Sequence, residues 1–177
     1  TTLTTTGGIV GGIPRNIGTW SQRLNTDGSP TTPAATSMYV GSIFVPMNMT
    51  ITGLQFANSS APNGTTHKVR LALYNQGGTL VASTAAGGAI PTAVAQHVTQ
   101  VALSAPYAAV GPGWYWIGLT FNTVVTTWAM FVPLNVDGGT GLVGGAVTGL
   151  AFDTLPSTIT PFTTSPGAAS IPIASIY

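Results

Sequence analysis

Apolar side chains recur at alternate positions in short runs between residues 38 and 132, and the runs are parted by Gly, Pro, Asn and Ser. A period of two is the signature of a half-buried strand. Along 67–75 (HKVRLALYN) it places Val69, Leu71 and Leu73 toward a core, with Lys68, Arg70 and Tyr74 on the other side. Along 114–121 (WYWIGLTF), Tyr115, Ile117, Leu119 and Phe121 share one face, and Trp114, Trp116, Gly118 and Thr120 the other. Segment 38–45 sets Tyr39, Ile43 and Val45 against Gly41 and Ser42. Segment 48–57 begins in phase with Met49 and Ile51 and continues one residue out of phase with Leu54 and Phe56. That shift at Gly53 predicts a β-bulge. Gln76-Gly77-Gly78 joins 67–75 to 79–84 and predicts a hairpin. Further strands are expected at 97–103 and 124–132. Pro106, Gly111, Pro112 and Gly113 bracket the connection into 114–121.

About eight short strands with turn residues between them indicate an all-β, antiparallel sandwich or barrel. No segment carries a helical period with caps, and helix-forming residues are sparse. The flanks differ from the middle. Residues 1–36 are punctuated by Gly7-Gly8, Gly11-Gly12, Pro14, Gly28, Pro30 and Pro33, and predict an extended N-terminal arm whose Trp20 plugs a neighbouring surface. Residues 37–150 hold the strands and then a Gly-rich stretch from 138 to 149. Residues 151–177 carry Pro156, Pro161, Pro166 and Pro172, and predict a Pro/Thr-rich C-terminal strap across the strands or across a neighbouring subunit.

Charge narrows the function. Seven of 177 side chains are charged: Asp27, Asp137, Asp153, Arg15, Arg23, Lys68 and Arg70. A net charge of +1 offers no electrostatic footprint for nucleic acid or anionic lipid. Cysteine is absent, which removes disulfides, zinc–thiolate sites and cysteine nucleophiles. Catalytic sites draw on clustered Asp, Glu, His, Lys or Cys. Here His67 and His97 stand apart from each other and from every Asp, so no catalytic residue, metal ligand or cofactor site is expected. The histidines read as strand-end residues in local hydrogen bonds, and Asp137-Gly138-Gly139 as a turn.

Trp114, Trp116 and Trp128 form the most suggestive set. Planar aromatics exposed on a sheet can stack on sugar rings; the same residues can equally pack under a loop or against another subunit. An eight-stranded outer-membrane barrel is a third reading. Against it stand Pro172 near the end, strands that rarely reach 9–11 residues, and few charges in the loops.

The runs YVGSIFVPMNMTITGLQF, VRLALYNQGGTLVAST and GWYWIGLTFN, with the finish FDTLPSTITPFTTSPGAASIPIASIY, resemble β-sandwich domains of tailed-phage virion proteins. The resemblance spans roughly residues 38–177 and is one of style, without a diagnostic motif. It implies a jelly-roll-like sandwich, a trimer or other symmetric assembly, and a place on the surface of the virion. It offers no catalytic residues. The expected function is therefore that of a non-enzymatic capsid decoration protein or short head fibre. The arm would be anchored on the major capsid protein or another virion protein through Arg15, Trp20 and Arg23. The alternative is a tail-fibre module recognising host surface glycan through the tryptophans.

Overall fold

A computed structural model of the chain describes residues 17–18, 34–58, 67–91, 97–123, 130–131, 143–163, 171–172 and 174–177. Among these there is no helix. The strands are β1 (Ile17–Gly18), β2 (Ser37–Val45), β3 (Met49–Asn58), β4 (Val69–Tyr74), β5 (Leu80–Ser83), β6 (His97–Ala109), β7 (Gly113–Phe121), β8 (Met130–Phe131), β9 (Gly144–Thr148), β10 (Ile171–Pro172) and β11 (Ala174–Ile176). Five of them form one antiparallel sheet in the order β5-β4-β7-β2-β9, and four form a second in the order β1-β11-β3-β6; β8 and β10 pair separately.

The alternation on β4 and β7 builds the core as expected. Val69, Leu71 and Leu73 of β4, Tyr115, Ile117, Leu119 and Phe121 of β7, and Ile43 and Val45 of β2 point toward the second sheet. There they meet Ile51, Leu54 and Phe56 of β3 and Ala174 and Ile176 of β11. The two sheets thus share one apolar interior. Burying a side chain of this size from water stabilises the fold by about 1.5–3 kcal/mol each, before ordering costs. The β3–β6 pairing shifts register between Ile51 and Gly53, the position of the predicted bulge. Opposite it, β6 runs on past residue 103 to Ala109, longer than the sequence suggests. Pro106 cannot donate to a ladder, so residues 103–106 leave the pairing, and β6 rejoins β3 at Tyr107. Within that excursion Leu103 bridges Thr84, which ties β6 to the end of β5.

The outer face of the five-stranded sheet is also apolar. Met38, Val40, Ala72, Tyr74, Trp116 and Ile159 form a second buried cluster, against which Leu150, Leu155 and Phe162 pack. Residues 150–162 therefore lie over this face. Their backbone is pinned: Ile159 N–H donates to Gly78 O (2.8 Å), Leu80 N–H to Ser157 O (2.9 Å) and Leu150 N–H to Thr36 O (2.9 Å). The Arg70 guanidinium donates to Asp153 O. Tyr74 lies on the outward face, as its alternation with Leu73 predicts, and is fully buried there beneath this layer. Its hydroxyl donates to Met38 Sδ (3.5 Å). Burial pushes the Tyr74 phenol well above its ordinary pKa, offset only in part by the Arg70 charge.

Two differences concern the flanks. The Gly-rich stretch contributes β9, an edge strand paired with β2 from Ser37–Thr148 to Gly41–Gly144. Its glycines are suited to close approach: a Cβ on Gly145 would lie 2.1 Å from the Phe162 ring, so the bare backbone is what lets that ring settle. Within the arm, Ile17 and Gly18 pair with Ile176 and Ser175, so β1 forms the edge strand beside β11. Of the expected strand 124–132, Met130 and Phe131 pair with Pro172 and Ile171; residues 124–129 and Val132 lie outside the described residues.

Candidate functional site

The indoles of β7 do different things. Trp114 and Trp116 both project from the outer face, in register with Phe44 and Ser42 of β2. Trp116 is buried, donates its indole N–H to Gln76 O (3.4 Å) and meets the Phe162 ring edge-on at 6.0 Å. It is a structural residue under the covering segment. Trp114 remains 39% exposed and leans on Phe44, itself 44% exposed, with ring centroids 5.3 Å apart.

Between them opens a cleft of about 300 Å³ lined by Ser42, Gln76, Trp114, Trp116, Val143, Pro161 and Phe162. Its walls are apolar and aromatic. Ser42 Oγ accepts from Val143 N–H (3.0 Å), so the neutral polar groups at its margin are a hydroxyl and an amide. No titratable side chain lines it. Such a cleft can hold a flat, uncharged ring by stacking and dispersion; it has nothing with which to transfer a proton.

The end of the molecule beside Trp114 is apolar as well. Val110 is 70% exposed and Met47 49%. They sit on the β6–β7 and β2–β3 connections, which are fastened together: Gly111 N–H donates to Asn48 Oδ1 (2.9 Å), and the Tyr115 hydroxyl both accepts from Val110 N–H and donates to Val110 O (3.0 Å each). The opposite end of the same sheet carries Lys68 and Arg70, since Arg70 pairs with Thr120 and Val69 with Phe121 at the far end of β7. Asp153, bonded to Arg70 through its carbonyl, lies there too. All three charged side chains among the described residues are therefore at one end.

Of the residues singled out from sequence, the structure brings together Trp114 and Trp116 alone. Arg15, Trp20, Arg23 and Trp128 lie outside the described residues. His67, expected in local hydrogen bonds at a strand edge, is instead buried just before β4, and its Nδ1 has no hydrogen-bond partner among the described residues. His97 opens β6 opposite Asn58. Among the described residues no three His, Asp or Glu come close enough to hold a metal ion. Sequence reasoning missed Gln76, Val143, Pro161 and Phe162, whose place at the cleft follows from strand pairing and from the covering segment, and it missed Phe44, which the β2–β7 register sets against Trp114. Compared with known proteins, the chain matches no protein-family model and no curated sequence.

Proposed function

We propose that the chain is a non-enzymatic structural protein of a tailed-phage virion, a capsid decoration protein or short head fibre, that works as a homo-oligomer on the particle surface. The observation that carries this reading is the surface: seven charges in 177 residues, with the described ones at one end and four of the six described exposed large apolar side chains at the other. A protein built this way acts by contact. Its contacts depend little on ionic strength, because few ion pairs are present to be screened.

Strand order supports a jelly-roll-type sandwich. The β2–β3 and β6–β7 pairs run antiparallel to each other as one long ribbon, β2 on β7 and β3 on β6, folded across both sheets. The β4–β5 hairpin follows on the other side of β7, giving β2-β7-β4-β5 in one sheet. A rolled ribbon of this kind recurs in viral capsid domains. On this reading the expected strap 151–177 crosses the outer face at residues 151–163, while Ala174–Ile176 joins the second sheet as β11, and the arm 1–36 reaches the major capsid protein through Arg15, Trp20 and Arg23. A membrane barrel fits less well, because the large apolar side chains fill the space between the sheets.

Antibody against the protein tests the location. Gold-labelled antibody is expected to decorate the surface of intact particles in electron micrographs. Bare particles, with the protein recovered only from the soluble fraction of the lysate, would reject the virion reading. One observation favours a second reading, that of a glycan-recognition module: the neutral aromatic cleft at Trp114 has the volume and lining for a pyranose ring.

A further inference from the structure

We infer that the apolar end formed by Phe44, Met47, Val110 and Trp114, where no described residue is charged, is the surface through which copies of this chain meet one another. The inference rests on the homo-oligomeric reading above and names the interface that reading leaves open.

Four of the six exposed large apolar side chains among the described residues fall at this one end. At their fractional exposures they present roughly 400 Å² of side-chain surface, at the scale of the largest patch on an ordinary monomer and about half of what each partner contributes to a standard interface. The flanking Pro46, Asn48 and Pro112 are neutral and extend the face further. The patch is also pre-organised, because the Gly111–Asn48 and Val110–Tyr115 hydrogen bonds hold its two loops side by side. Little ordering entropy then remains to be lost on contact.

Charge decides among occupants. At an interface closed by a two-fold axis the patch meets its own copy, so any charge on it confronts itself. This end carries none among the described residues. The nearest described cations, Lys68 and Arg70, lie about 20 Å away along β7, beyond two screening lengths at physiological salt. Among the described residues, an acidic partner or an anionic bilayer would find no cation here to draw it in. A neutral, apolar, rigid patch is complementary to itself, and a second copy is the partner its chemistry fits.

Light scattering on the full chain, wild type beside Val110→Asp, tests this. Ile90→Asp serves as control, since Ile90 is also an exposed apolar residue (52%, against 49% for Met47) but lies elsewhere. The wild type and the Ile90 variant are expected to scatter as the same oligomer, and Val110→Asp as a single 17.9 kDa chain with an unchanged melting temperature. Met47→Asp should repeat the loss if Val110→Asp proves unstable. A Val110→Asp or Met47→Asp variant that keeps the wild-type mass overturns this interface and leaves the oligomeric reading standing. A monomeric wild type overturns that reading itself.

Discussion

Replacing Gly78 with alanine is expected to lower the melting temperature by roughly 5–15 °C, corresponding to about 2–4 kcal/mol in a chain of this length. Two costs coincide at this position. Gly78 closes the β4–β5 turn with φ of +82°, a conformation that costs an L-residue about 1–2 kcal/mol. The new Cβ would also stand 2.0 Å from the carbonyl oxygen of Ile159, a backbone atom that cannot swing aside. That carbonyl belongs to the segment clamped here, where Ile159 N–H donates to Gly78 O. Relieving the clash means lifting Ile159 out of the second buried cluster. Gly77→Ala is the control, because its Cβ would meet nothing closer than Asn75 Oδ1 at 3.5 Å. Circular-dichroism melts of the two variants suffice. A Gly78→Ala variant that melts within a degree or two of wild type would mean that the covering segment is not fastened at this turn.

Trp116→Ala and Trp114→Ala are expected to part company, although they stand two residues apart on one face. Trp116 is buried against Phe162 within the second cluster, and its removal should cost about 3–5 kcal/mol, a fall of roughly 10 °C or more. Trp114 is partly in water and should cost about 1 kcal/mol. Trp114 is accordingly the clean probe of glycan recognition. If the cleft stacks a sugar, titration of the wild type with neutral hexasaccharides of glucose or N-acetylglucosamine changes tryptophan fluorescence in a saturable way, and Trp114→Ala abolishes the change without loss of fold. A flat titration speaks for the contact role alone. Equal melting temperatures for the two variants would contradict the burial of Trp116.

What could be read from the sequence was whatever depends on near neighbours. The alternation of Val69, Leu71 and Leu73, the phase shift at Gly53 and the Gln76-Gly77-Gly78 turn are local signals, and each has its counterpart in the strands and pairings. A period of two says which residues share a face, and nothing about whether that face is covered. Tyr74 and Trp116 were for this reason open to misreading as surface residues, since the chain that buries them arrives some 40 to 90 residues later, at Leu155, Ile159 and Phe162. The glycines at 144 and 145 suggested loop, yet pairing with β2 and the pressure of Phe162 make them strand. The Phe44–Trp114 contact joins positions 70 apart through the β2–β7 register. Only the pairing reveals that Met47 and Val110 lie at the same end.

The central claim is that this chain assembles with itself through neutral, apolar contacts. Light scattering in detergent-free buffer, at roughly 50 mM and again at roughly 1 M NaCl, tests it most directly, since that range shortens the screening length several-fold. One symmetric oligomer of unchanged mass at both salt concentrations is the expected result. A 17.9 kDa monomer at both, or an oligomer that dissolves as salt rises, would contradict it.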